Sequence, residues 1–275
     1  MIHAPAMTTV AAKRAAFRAL HSQGCFVIPN PWDVGSARML QHLGFAAVAS
    51  TSAGFAWSIG RADGGVTRDD VLRHLTAVSA AVDIPVNADF ESGFAAQPAD
   101  VATNVGLAIE TGISGVSIED RDIAELSKLY DREFAVERIR AARAAIDRSG
   151  HDVILVARTE RLLLDATAVT TAIDSLVAFA EAGADCLFAP GVRDKADIAA
   201  MVRAVAPKPV NIVMATPGMS VAELADLGVR RISIGGSLAR VAWGAMMAAA
   251  EQIKAGSFDG LEPGAPGKRL NEIFG

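Results

Sequence analysis

The sequence predicts an α/β fold, a single closed (β/α)8 barrel, and three observations carry that expectation. Short apolar runs alternate with longer amphipathic segments from one end of the chain to the other. Before the second, fourth, sixth and eighth of these runs the chain reads "LGFAAV", "TGISGV", "AGADCL" and "LGVRRI". In each, Gly stands where a helix ends in a left-handed turn and a strand begins. The 275 residues carry no Pro/Ser-rich linker and no break in composition, and one such barrel typically takes about 250 residues.

In chain order, strands are expected at 25–29 "CFVIP", 46–50 "AAVAS", 85–89 "PVNAD", 115–119 "GVSIE", 153–157 "VILVA", 185–189 "DCLFA", 209–214 "PVNIVM" and 230–234 "RRISI". Runs that are apolar throughout have both faces buried, which implies a parallel sheet covered by helices. Segments 67–81, 98–112, 132–149 and 194–206 supply helices, with apolar residues at helical spacing. An open doubly wound sheet is the alternative, but no Gly-x-Gly-x-x-Gly follows the first strand. Residues 1–275 read as one domain, with 236–275 as a C-terminal helical region. The stretch 235–256, "GGSLARVAWGAMMAAAEQIKAG", is too apolar for a freely exposed helix. It predicts either a homo-oligomer, a tetramer, with this region on a neighbour, or an eighth helix packed on its own barrel.

Composition narrows the function. Hydrophobic residues make up 51% of the chain and the net charge is −5, so a large core can form and no basic, aromatic-laced stripe exists for nucleic acid. No apolar run reaches the roughly 18 residues of a membrane helix, and "MIHAPAMTTVAAKRAAF" lacks a signal-peptide layout. A cytoplasmic protein is expected. Cys25 and Cys186 lie in apolar strand-like runs and read as buried, reduced and inert.

In a barrel the site gathers at the carboxyl ends of the strands. Those ends carry Asn30 with Trp32 and Asp33, then Ser50, Thr51, Ser52, Ala53 and Gly54, then Asn87, Asp89 and Glu91. Glu119 and Asp120 follow, then Arg158, Thr159 and Glu160, Asn211, and Gly235 to Ser237. Converging carboxylates repel unless protonated or neutralised by a cation. Oxygen ligands, with His3, His21, His42, His74 and His151 all in helices or at the far end, point to Mg2+ or Mn2+. On spacing alone, Asp89 and Glu91 could equally solvate a loop and Glu119 cap a helix. "STSAG" offers backbone N–H groups to an anion or is an ordinary turn. "RAD" at 61–63 places Asp63 in a connection too long for a simple turn. Arg158 pairs either with a bound anion or with Glu119 or Glu160.

Taken together and in order, "PWDVGSARMLQHLGFAAVASTSAG", "GRADGG", "PVNADFESGF", "GVSIED" and "VARTE" resemble the isocitrate lyase/phosphoenolpyruvate mutase superfamily. The resemblance implies a (β/α)8 barrel whose last helix is exchanged between subunits, usually in tetramers, binding 2-oxo acids or their enolates on Mg2+. It implies Asp89 as the direct metal ligand, with Asp63, Glu91 and Glu119 holding the ion largely through water. It implies Ser50, Thr51, Ser52 and Ala53 as a backbone cradle for the substrate carboxylate, Arg158 as its clamp, and Asn211 and Trp32 as further contacts. Arg158, Asp63 and Glu119 are the catalytic candidates.

The chain departs from that pattern after the fourth strand. The lyase branch carries Lys-Lys/Arg-Cys-Gly-His there, with Cys as acid/base, whereas this sequence reads "EDRDIAELSKLYD". Glu160 also stands where the family usually has Asp. Enolate stabilisation survives these changes, because it needs a Lewis acid, preorganised donors and a proton source. A carbon–carbon lyase of the oxaloacetate decarboxylase kind is therefore expected. The rivals are a phosphoenolpyruvate mutase-like or phosphonate-hydrolysing enzyme and a non-catalytic 2-oxo acid-binding protein. Lys128 is the one ammonium in loop 121–131 that could supply a proton.

Overall fold

The computed structural model describes residues 8–275. Eight parallel strands form one sheet: β1 (Phe26–Ile28), β2 (Val48–Ala49), β3 (Val86–Asp89), β4 (Gly115–Glu119), β5 (Ile154–Arg158), β6 (Cys186–Phe188), β7 (Val210–Val213) and β8 (Arg231–Ser233). Neighbours run β1-β8-β7-β6-β5-β4-β3-β2. The remaining seam is bridged where the Ala49 N–H donates to the Pro29 carbonyl at 3.0 Å. Seven strands fall within their expected runs, trimmed because only residues in the ladder keep strand geometry, while β5 starts one residue later than the run 153–157 and ends one residue beyond it, at Arg158. The helices 67–81, 98–112, 132–149 and 194–206 are found at Arg68–Ala81, Pro98–Glu110, Arg132–Ser149 and Lys195–Val205.

The repeated glycines explain how the even strands are entered. Gly44, Gly112, Gly183 and Gly228 all have positive φ, between 86° and 102°, where an L side chain would clash with its own backbone. At Gly115 the reason is proximity: a Cβ would stand 2.5 Å from Asn87 Oδ1 and 2.6 Å from the Phe17 ring. Phe17 belongs to the helix Val10–Leu20 and plugs the amino-terminal end of the barrel, against Ile28, Ile154, Val156 and Cys186. A second, larger core lies between the sheet and its surrounding helices.

Two expectations need correction. Cys25 precedes β1 and is only half-buried, since it sits at the open amino-terminal rim; Cys186 is fully buried in β6. Asn87 and Asn211 are not strand ends. They lie within β3 and β7 and are buried inside the barrel. Among the described histidines none stands at a carboxyl-terminal strand end: His74, for example, stacks on Phe55 with centroids 4.1 Å apart. His3 lies outside the described residues. No helix among the described residues is long and apolar enough to cross a membrane.

Candidate active site

At the carboxyl ends of β3, β4 and β5, acids surround one arginine. Arg158, the last residue of β5, contacts Glu160 through Nε, lies 3.4 Å from Glu119 Oε2 and places Nη1 3.6 Å from Asp89 Oδ1. These three carboxylates outweigh the cost of burial and hold its guanidinium firmly protonated. Glu160 is 2% exposed and also accepts from Arg121 Nη2 at 2.9 Å. Its backbone is pinned in turn, because buried Asp120 accepts from the Glu160 N–H at 2.9 Å and from Thr159 Oγ1 at 2.6 Å.

Asp89 ends β3. Its N–H donates to Ser50 Oγ at 2.8 Å, and its Oδ2 accepts from the Ser52 N–H at 3.0 Å. Ser52 opens the short helix Ser52–Ser58, where the first N–H groups have no helical acceptor. Thr51 caps that helix by accepting from the Gly54 N–H. In the turn Ser50–Ala53 the Ser50 N–H is therefore given to the Asn87 carbonyl and the Ser52 N–H to Asp89. Asp63 lies exposed on the loop between this helix and Arg68–Ala81, and its carboxyl is raised by partial desolvation and by Asp89.

Glu91 is the strained member. Its φ is 48°, and Oε1 is buried without a hydrogen-bond donor. Burial, then the charges of Asp89 and Asp63, push its carboxyl up to about 7. Glu119 is raised likewise, first by burial, with Glu160, Asp89 and Glu91 adding to it against Arg158. Arg138 holds the backbone beneath both acids. From the helix Arg132–Ser149 it donates to the carbonyls of Ser92, Ala95, Ala96 and Glu119.

Two adjoining cavities share Ser52, Asp63 and Arg158. The outer, of ≈ 350 Å³, holds Glu91, Glu119 and Glu160 and is bordered by Ile123 and Leu126 of loop 121–131. The inner, of ≈ 190 Å³, reaches into the barrel past Ser50, Thr51, Ala53, Asp89 and Asn211. The structure thus gathers the residues expected to hold metal and substrate, except Trp32. Trp32 lines neither cavity; its Cβ backs onto Gly54, which it leaves no room to enlarge. Lys128 turns to Glu125 at 2.7 Å and is largely exposed, away from both cavities.

Arg121 and Arg231 line this site and were missed when only strand ends were considered. A signal existed for Arg231: residues 231 and 233 of β8 share one face of the strand, so an inward Ser233 carries Arg231 inward with it. Among the described residues, no three carboxylate, imidazole or thiolate groups converge closely enough to enclose an ion alone. The donor set still fits a hard divalent cation held by one carboxylate and by water-bridged neighbours. Crowded acids and a buried Glu91 oxygen without a donor are what such an ion would satisfy.

A parallel barrel with this cluster at the carboxyl ends of its strands defines a barrel enzyme with a small-molecule site. The chain belongs to the phosphoenolpyruvate phosphomutase family, whose profile it matches over residues 17–254, within a superfamily of lyases and mutases. Among solved structures, a provisionally assigned lyase/mutase from Burkholderia cenocepacia J2315 is 45% identical, with a TM-score of 0.93 over 96% of this chain and 97% of that one. A 2,3-dimethylmalate lyase is 31% identical, with a TM-score of 0.85 over 98% and 95%. An oxaloacetate decarboxylase of Pseudomonas paraeruginosa PA7 is 31% identical over 226 residues, covering 79% of this chain and 77% of the relative.

Proposed function

We propose that the protein is a Mg2+-dependent carbon–carbon lyase of a small 2-oxo acid, decarboxylating an oxaloacetate-like diacid; Mn2+ would serve the same site. The observation that carries this reading is the gathering of Asp63, Asp89, Glu91 and Glu119 around one guanidinium, with a Glu91 oxygen buried and without a donor. Kinship with an oxaloacetate decarboxylase supports the choice of reaction. Asp89 would hold the ion directly, and Asp63, Glu91 and Glu119 through its waters. A bound ion would supply Lewis-acid stabilisation of the negative charge that develops when the carbon–carbon bond breaks.

The chain's own groups do the rest. Arg158 and the Ser50–Ala53 turn bind and orient the substrate carboxylate through the N–H groups of Thr51 to Ala53, since the Ser50 N–H already donates to the Asn87 carbonyl at 2.9 Å; these donors are in place when charge develops. Asn211 adds a polar contact from the inner cavity wall. Ile123 and Leu126 close the outer side and limit bulk water. Loop 121–131 brings no Cys or His, and Lys128 faces solvent, so a water in the site delivers the final proton. A screen of 2-oxo acids and phosphonates, with Mg2+ and after chelation, tests the reading. Carbon dioxide release from a diacid that chelation abolishes, above the rate with free metal, is expected. Phosphate release would move the enzyme to phosphonate chemistry, and tight binding without turnover would remove the lyase assignment.

The assembly belongs to the same proposal. In the helix Ser237–Lys254 only Ala239 is buried, while Val241, Met246 and Met247 are 67%, 53% and 58% exposed. Burying such a row requires a second copy, and a tetramer with exchanged C-terminal helices provides one. The closing helix Gly267–Phe274 meanwhile touches its own barrel, with Phe274 beneath Arg38.

A further inference from the structure

Arg231 opens β8 and lines the inner cavity deeper than the acid cluster. It is 3% exposed. Its Nη1 makes one long hydrogen bond, 3.4 Å to Asn87 Oδ1, and its Nε has no acceptor. The Phe17 ring centroid lies 5.8 Å from its guanidinium carbon. It takes part in none of the ion pairs among the described residues, whereas Arg158 on the same cavity has three carboxylate partners. A guanidinium has five donors, and a buried charge with no ion partner and a single long hydrogen bond is strongly unfavourable. Nearby, Asn211 donates to Ser233 Oγ at 3.0 Å while its own Oδ1 finds no donor. Because the Ser233 hydroxyl can donate as well as accept, a half-turn of the Asn211 amide keeps that bond and brings its Nδ2 to the place of the unpartnered Oδ1, in the wall of the inner cavity.

A small cavity bounded by one paired and one unpaired guanidinium suits a ligand with an acid at each end. We propose that Arg231, assisted by Asn211, is the subsite for the distal carboxylate or phosphonate of the substrate, which makes the enzyme selective for diacids over monoacids. This rests on the 2-oxo acid reading above. The 2-oxo acid end lies at Arg158 and Ser52, and the far acid reaches the barrel floor.

The test is calorimetric titration in Mg2+ with three unreactive probes: oxalate, which has no distal acid, malate, and malate 4-amide. The wild-type protein should bind oxalate, and should bind malate about ten- to a hundred-fold more tightly than the amide, the value of hydrogen bonds to a charged group. Arg231→Met should weaken malate to the level of the amide and leave oxalate unchanged; Arg231→Lys should fall between. Equal wild-type affinity for malate and its amide would overturn the subsite while leaving the 2-oxo acid reading intact. So would an Arg231→Met protein that loses oxalate as much as malate. Failure of the wild type to bind oxalate would instead sink the 2-oxo acid reading, and this inference with it. Equal wild-type affinity for malate and its amide overturns the subsite even if the variants do not fold.

Discussion

Arg158 is already paired before any ligand arrives. In the ligand-free protein it is shared by Glu160, Glu119 and Asp89; a substrate carboxylate would compete for the same planar fork. Lys at this position keeps the charge and loses the paired geometry. Arg158→Lys should therefore weaken 2-oxo acid binding in Mg2+ by about 1.5–3 kcal/mol, roughly ten- to a hundred-fold. Unchanged affinity by titration would remove Arg158 from the clamp. Asp89 makes the opposite case. It is one of several mutually repelling acids, so Asp89→Ala should abolish Mg2+-dependent ligand binding yet shift the melting temperature of the ligand-free protein little. A variant that still binds 2-oxo acid with parental affinity in Mg2+ would show that the ion is held elsewhere.

At the scale of elements, glycines and loops divide the labour. The φ of 87° at Gly44 serves only to turn the chain from the helix Val34–His42 into β2, for a Cβ there would meet nothing within 4 Å. Gly44→Ala isolates the backbone effect and should cost about 1–2 kcal/mol of stability. Denaturant unfolding would report it, and metal-dependent turnover should be unchanged; full parental stability would mean the turn tolerates a side chain. Loop 121–131 works differently. It folds back on itself through the Arg121–Leu129 bridge and presents Ile123 and Leu126 to the cavity. That geometry covers a site without adding a reactive group.

For the molecule as a whole, the acid cluster links metal, proton and stability. Glu91 ordinarily titrates at 4.5 and is raised to about 7 in the fold, with Glu119 raised in the same direction. Between those values the folded protein holds a proton that the unfolded chain has lost. Stability without metal therefore falls as pH rises through this window. A bound cation favours the ionised acids, so Mg2+ should raise the melting temperature more at about pH 8 than at about pH 5.5. Equal stabilisation at both would detach the acids from the ion. The exposed face of Ser237–Lys254 leads to a second expectation at this scale: light scattering at micromolar concentration should show a tetramer, and a monomer would refute the exchanged-helix assembly.

The sequence by itself determined the barrel, since uniformly apolar strands and C-terminal helix glycines are local demands with one common solution. It also exposed the acids, because Asp89, Glu91 and Glu119 interrupt apolar runs where burial would otherwise forbid a charge. Only the tertiary structure decided which groups meet. Glu160, separated from Glu119 along the chain, shares Arg158 and Arg121 with it because β4 and β5 are adjacent in register. Trp32 turned behind a helix, and Arg231 turned into the barrel. Both outcomes follow from side-chain direction: strand periodicity proposes a face, but only closure of the sheet determines whether that face meets solvent, helix or cavity.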